Sequence, residues 1–311
     1  MVERVIGNDE VSSSNLLSSS RKALTSVSAF SFFCVRWVER ATLASPAYGC
    51  YNKSNLDIKE ESTGDFMPHP TTPPRPMIDI HGHYLFGIDD GATDLEMSVA
   101  MVLLAQEQGV TELFCTSHDI GEQDCYDANF ALLQEYLQRE NIPIRIHPGC
   151  EVYCTPYNIR DIITDLKHGA LHPMGSSKYV LLEFHPYVEP SDLLAMVQQV
   201  RNETGLLPII AHAERCLFLA EEPGALNVLF RWNTPIQINA YSLVEESNPA
   251  IREFARLLLA EQRVTFLGSD AHRSSHRPPQ VSSGIDYIYD TCTEPYARAI
   301  CYENAARLLC P

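Results

Sequence analysis

From residue 77 onward, short unbroken apolar runs alternate with stretches of helical period. The runs are "MIDIHG" from 77, "TELFCTS" from 111, "IRIHPGCE" from 144, "KYVLLEF" from 178, "PIIAH" from 208, "PIQINA" from 235 and "VTFLGSD" from 264. They do not alternate apolar with polar, so they read as strands buried on both faces, the habit of parallel sheets. The clearest intervening helix begins near Thr93 and Glu96, a capping-box pair. Leu95, Val99, Val102 and Leu103 form its apolar stripe, and Gly109 closes it. Seven such rounds predict an α/β fold whose strands close into a parallel barrel, with an open doubly wound sheet as the alternative. Residues 1–76 differ: serine clusters, no sustained period, and a Pro-rich end, "MPHPTTPPRP". That end reads as a linker. The segment is expected to be a disordered extension or an over-long start, since Met77 can itself begin the domain.

In either α/β architecture, ligands gather at the carboxyl ends of the strands. The residues there are not random. The first run ends in His81 and His83, two apart and therefore on one face of a strand, with Asp90 in the loop beyond. The second ends in His118, the third in Glu151, the fourth in Glu183, the fifth in His212 and the seventh in Asp270 and His272. The sixth offers only Asn239, a poor metal ligand. Taken singly, each has an ordinary reading as a paired core residue. Nine ionisable groups around one mouth, however, cannot remain desolvated without counter-charge. Two or three divalent cations are the natural solution, and a mixed nitrogen and oxygen donor set suits manganese, zinc or iron better than calcium. Arg215 and Arg277 lie close in sequence to the His212 and His272 positions, where a guanidinium suits a phosphate oxygen.

The chain has 311 residues, 45% of them hydrophobic, and a net charge of −17. So acidic a chain is a poor general binder of nucleic acid, although bound cations can still present a positive field to a small anion. No stretch approaches the ~18 apolar residues of a membrane span. "ALTSVSAFSFFCV", residues 23–35, resembles a weak signal-peptide core, but Arg36, Glu39 and Arg40 follow at once and no cleavage site closes it. The ten cysteines include no CxxC pair. They read as reduced thiols of a cytoplasmic protein, Cys115 and Cys216 being small hydrophobes beside strands.

With the ordered series H-x-H, D, H, E, E, H, D-x-H in place, the chain resembles the PHP (polymerase and histidinol phosphatase) superfamily. "MIDIHGH", "GIDDGATDLEMS", "PGCEV", "YVLLEF", "PIIAHAER", "QINAYSL" and "SDAHRSSHRPP" are similar to one branch, the bacterial manganese-dependent protein-tyrosine phosphatases of capsular and exopolysaccharide loci. The resemblance spans about residues 77–309 and implies a distorted (β/α)7 barrel. It implies that His81, His83, Glu151 and Asp270 hold one metal, and that Glu151 bridges to a second held with Glu183 and His212. Asp90, His118 and His272 would hold a third. Arg215 and Arg277 match phosphate-contacting arginines, and Asp90 is one option for the proton donor. The chain departs from the family pattern at Ser117, Asp119 and Phe86-Gly87, all at the lip of the site and none at an inferred ligand. The implied partner is a tyrosine autokinase of polysaccharide synthesis with a phosphorylated Tyr-rich tail.

Two other readings stand beside this one. Another PHP phosphoesterase, such as a histidinol phosphatase, uses the same centre on a small molecule. A non-catalytic PHP binding module would have lost ligands, whereas all nine positions are intact here. Cysteine-dependent phosphatases use C-x5-R, which occurs at Cys34/Arg40, Cys292/Arg298 and Cys301/Arg307. None carries a glycine-rich phosphate cradle, and short matches are expected among ten cysteines.

Overall fold

The structure is a computed structural model that describes residues 75–118 and 123–310. The expectations for residues 1–74 lie outside the described residues. Among the described residues there are eight strands: β1 (Met77–Asp79), β2 (Val110–Cys115), β3 (Arg145–Pro148), β4 (Glu151–Cys154), β5 (Tyr179–Phe184), β6 (Leu207–Ile210), β7 (Gln237–Asn239) and β8 (Phe266–Gly268). Helices of nine or more residues alternate with them, with one exception. They are α1 (Leu95–Glu107), α2 (Gln123–Arg139), α3 (Ile159–His168), α4 (Pro190–Thr204), α5 (Pro223–Arg231), α6 (Pro249–Ala260) and α7 (Ser282–Thr291).

The alternation breaks once, between β3 and β4, where the sequence suggested a single strand. Pro148 has no N–H for a ladder, and the Gly149 amide donates to the Tyr126 hydroxyl at 3.1 Å instead of to a neighbouring strand. A Cβ on Gly149 would meet Thr116 at 3.2 Å and the Met174 sulfur at 3.3 Å, so the chain bends where only glycine fits closely.

All strand pairs are parallel. Among the described residues they form three sheets, β1-β2-β3, β4-β5-β6 and β7-β8, and not the continuous ladder expected of a closed barrel. Single parallel bridges lie between the sheets: Gly82 with Ala271, His118 with Glu151, and Ile210 with Ile236. The strands bury both faces, as the unbroken apolar runs require. Ile78, Ile80, Phe114, Leu181, Ile209 and Phe266, from five strands and the end of β1, share one apolar cluster with Ala305 and Leu308 near the C-terminus. A larger cluster joins the opposite faces to the helices.

Helix α1 corrects one expectation. Its N-cap is Asp94, whose carboxylate accepts from the Met97 amide at 2.8 Å, and Thr93 merely donates to Asp94. Leu95, Val99 and Val102 are buried as expected, but Leu103 is 40% exposed and Met101 and Ala105 complete the packed face. At the N-terminal end of the described residues, Arg75 donates to Asp286 at 3.1 Å and its guanidinium lies 4.2 Å from the Tyr289 ring centroid, so Arg75 touches α7. No helix among the described residues is long and apolar enough to cross a membrane.

Candidate metal centre

All nine carboxylates and imidazoles named from the strand ends converge. Each lies within 4.0 Å of at least one other. Glu151, at the start of β4, is the hub. Its Oε2 lies 3.1 Å from His81 Nε2, 3.3 Å from His83 Nε2 and 3.4 Å from His118 Nδ1. Its Oε1 lies 2.8 Å from His212 Nε2. A carboxylate that presents both oxygens to imidazoles on different strands has the geometry of a bridge.

Three groupings could each hold a cation: His81, His83, Glu151 and Asp270; His83, Asp90, His118 and His272; and His118, Glu151 and Glu183. The first reproduces the expected set. The second contains the expected trio and adds His83. The third has His118 where His212 was expected. His212 nevertheless stands beside it, with Nε2 3.6 Å from Glu183 Oε1.

Hydrogen bonds decide which nitrogen each histidine offers. His83 Nδ1 lies 2.6 Å from the Asp89 carboxylate, an acceptor only, so Nδ1 carries the proton. His81 Nδ1 donates to Gln237 Oε1 at 3.1 Å, and His272 Nδ1 to the Asp270 carbonyl at 3.0 Å. The Nε2 lone pairs of His81 and His83 are left for the site, whereas His272 Nε2 accepts from Arg277 Nη1 at 3.0 Å. His81 Nε2 and His83 Nε2 are buried without a hydrogen-bond partner. A buried orphan nitrogen is costly. Two such lone pairs aimed at carboxylates, which have no proton to give, fit a cation between them. Imidazoles oriented from behind by a carboxylate, an amide and a carbonyl are what metal ligands require.

Asp270 divides its two oxygens. Oδ2 accepts from Arg215 Nη2 at 2.5 Å, Arg277 Nη2 at 2.7 Å and Asn239 Nδ2 at 2.9 Å. Oδ1 faces His81 and His83 at 3.7 and 3.5 Å. Burial alone would raise its pKa, but the two guanidiniums and His81 hold it well below the carboxylate range. Glu183 goes the other way. Burial, then the neighbouring Glu151 charge, pushes its pKa well up. A site whose carboxylates repel one another in this way is short of positive charge.

The backbone is also unusual here. Among the described residues, six non-glycine residues adopt positive φ: Asn141, Asn233 and Gln262, just beyond the ends of α2, α5 and α6, and His212 (28°), Asp270 (54°) and Arg277 (58°). The first three have the familiar role of helix stops. The last three have none, and strained backbone of this kind is retained where surrounding structure holds a functional side chain in place.

Three participants were not singled out from sequence. Asp89 is buried and accepts from His83, from the His118 amide at 2.8 Å and from the Gly91 amide at 2.9 Å. Gln237, the first residue of β7, accepts from His81 and from the His212 amide at 2.7 Å, and donates to Asn239 at 2.8 Å. Glu214, fully buried, accepts from the Asn239 amide and the Ser242 hydroxyl, fixing the end of β7.

Among the described residues, no cysteine belongs to the groupings that could hold a cation. Cys115 and Cys216 are buried beside β2 and β6. Burial pushes the thiol of Cys301 up to about 12 and that of Cys292 upward as well, the reverse of an activated nucleophile. The Cys34 match lies outside the described residues.

Residues 77–310 match the family model for capsular polysaccharide synthesis, CpsB/CapC. The chain belongs to the CpsB/CapC family. It is 27% identical over 243 residues to tyrosine-protein phosphatase CpsB of Streptococcus agalactiae, covering 75% of this chain and 98% of that protein. With tyrosine-protein phosphatase YwqE of Bacillus subtilis it shares 29% identity over 208 residues, 65% of this chain and 79% of the relative. Crystal structures of Bacillus subtilis YwqE and Streptococcus pneumoniae CpsB, described as unique metal-dependent tyrosine phosphatases, resemble this fold. The match has a TM-score of 0.68 at 28% identity and covers 75% of this chain and 94% of the other.

Proposed function

We propose that this member of the CpsB/CapC family is a metal-dependent protein-tyrosine phosphatase, hydrolysing phosphotyrosine on a tyrosine autokinase of capsular or exopolysaccharide synthesis in the cytoplasm. The observation that carries the reading is the pair of buried, partnerless Nε2 atoms of His81 and His83 facing Glu151 and Asp270. We assign one metal to His81, His83, Glu151 and Asp270. A second goes to Glu151, Glu183 and His212, and a third to Asp90, His118 and His272. His83 has one lone pair to give and Asp89 holds its other nitrogen, so it serves the first metal and leaves the third to the remaining trio. Manganese is the proposed metal; zinc and iron are compatible with the same donors. The catalytic unit proposed is residues 77–311, and its three sheets are read as arcs of one distorted (β/α)7 barrel. The bridges between sheets and the shared inner apolar cluster support that reading.

When bound, divalent cations supply a nucleophile from water near neutral pH and offset charge on the phosphoryl oxygens. The protein does the rest. Glu151 and Asp270 stay ionised because imidazoles and guanidiniums surround them. Arg215 and Arg277 each commit Nη2 to Asp270 Oδ2 at the margin of the centre, with side chains 32% and 40% exposed, and Arg277 Nη1 also donates to His272 Nε2. Guanidinium donors remain on both for the equatorial oxygens of a phosphoryl group in flight. The leaving phenolate has a conjugate acid of pKa about 10 and needs only modest help. Asp90, 47% exposed at the mouth and 3.5 Å from His272, is the proposed ligand nearest to solvent and to the leaving group. The discriminating experiment compares metal-loaded protein on a phosphotyrosine peptide and on histidinol phosphate. Preference for the peptide supports the reading; turnover of histidinol phosphate alone would assign the centre to a small-molecule phosphatase.

A further inference from the structure

Among the described residues, five large apolar or aromatic side chains are markedly exposed. Leu103 and Leu257 lie on α1 and α6. The other three are all tyrosines: Tyr157 (96% exposed), Tyr187 (61%) and Tyr241 (41%). Each lies just after a strand that carries a centre residue, Tyr157 and Tyr187 in loops and Tyr241 in a short 3-10 turn. Tyr157 follows β4, which begins at Glu151; Tyr187 follows β5 and Glu183; Tyr241 follows β7 and Asn239. Because the strands run parallel, these loops share the face on which the metal centre opens. Tyr187 has its own support: its amide donates to His185 Nδ1 at 3.2 Å and the two rings lie 5.5 Å apart.

The depth of the centre says what such a rim meets. His81 and His83 have no exposed surface and Glu151 has 1%, whereas Arg277 and Asp90 at the edge are 40% and 47% exposed. A phosphate that reaches the deep carboxylates must be carried on a long side chain, ring first, and the chain bearing it then crosses the rim. Exposed tyrosines offer broad, stiff contact area at little entropic cost. We propose that Tyr157, Tyr187 and Tyr241 form an aromatic rim that determines specificity by packing against the polypeptide on either side of the phosphotyrosine. They are specificity residues that touch neither the phosphate nor the metals. The inference rests on the phosphotyrosine reading above.

The test uses the full chain loaded with Mn²⁺, as wild type and as Tyr157→Ala, Tyr187→Ala, Tyr241→Ala and the triple variant. Substrates are a phosphotyrosine peptide of about ten residues and p-nitrophenyl phosphate, which has a phosphate and a ring but no flanking chain. Each single change should lower kcat/KM on the peptide about 2- to 10-fold, through KM, with p-nitrophenyl phosphate turnover unchanged. The Tyr→Phe versions should retain most of the peptide preference. Equal loss on both substrates, or a triple variant with wild-type peptide KM, would overturn the rim. Wild-type protein that hydrolyses p-nitrophenyl phosphate but not the peptide would instead overturn the phosphotyrosine reading itself, so the two failures are separable.

Discussion

Asp89→Asn isolates the support behind the centre while leaving every proposed metal ligand in place. The carboxylate accepts three hydrogen bonds: His83 Nδ1 and the His118 amide on Oδ2, and the Gly91 amide on Oδ1. An asparagine has one oxygen. If that oxygen takes the Oδ2 position, the new NH2 faces the Gly91 N–H, donor against donor. If the amide is turned over, both His83 and His118 lose their acceptor. The first arrangement sacrifices one bond and wins, but it still removes the negative charge that makes His83 a strong donor of its lone pair. Loss of such a supporting partner costs about 10- to 100-fold in metal affinity, or about 1.4 to 2.8 kcal/mol. The assay is Mn²⁺ titration against a competing chelator, with thermal unfolding of the metal-free chain as control. We expect weaker Mn²⁺ binding, lower kcat/KM on a phosphotyrosine peptide at limiting metal, and partial recovery at high metal. Wild-type Mn²⁺ affinity in Asp89→Asn, and again in Asp89→Ala, would refute the claim that Asp89 holds His83 for a cation.

Other expectations follow from equally specific contacts. Arg215→Ala and Arg277→Ala should each lower kcat/KM by roughly 10- to 1000-fold while metal content measured by elemental analysis stays near wild type, because Asn239 and the remaining guanidinium still bind Asp270 Oδ2. Gly268→Ala should lower the melting temperature and the metal content together, by about 1–3 kcal/mol of overpacking, since its Cβ would sit 2.7 Å from His81 Cβ and 2.9 Å from Gln237 Nε2; a normal melt with normal metal would contradict it. Cys292→Ser and Cys301→Ala should leave turnover within a few-fold, and a loss of ~100-fold in a folded variant would point back to a cysteine nucleophile. Residues 77–311, expressed alone, should bind Mn²⁺ and turn over the peptide like the full chain; aggregation or loss of metal would show that the preceding segment is needed.

Much of the centre was legible because its chemistry is concentrated at strand ends, where the parallel arrangement dictates position. His81, His83, Glu151, Glu183, Asp270 and His272 could be named from local pattern alone. What escaped notice were residues whose role depends on long-range partners. Asp89 and Asp90 are adjacent, and nothing local says that the first turns inward to His83 while the second stays at the mouth. Gln237 looked like one polar position in an ordinary strand, although a polar residue in so buried a run must find partners. The split of "IRIHPGCE" into β3 and β4 was signalled by Pro148-Gly149, a pair that does not sit in a central strand. The cap of α1 went to Asp94 and not Thr93, a one-residue shift between two good capping residues that only the Met97 hydrogen bond resolves. The register between β6 and β7, a single bridge at Ile210 and Ile236, has no sequence signature.

The proposed activity requires that the nine converging side chains hold divalent cations. Turnover of a phosphotyrosine peptide should be followed in one preparation through chelation, verified removal of metal, and readdition of Mn²⁺. The account predicts that activity disappears with the metal and returns on reloading. Full turnover by protein shown to be free of metal would contradict it.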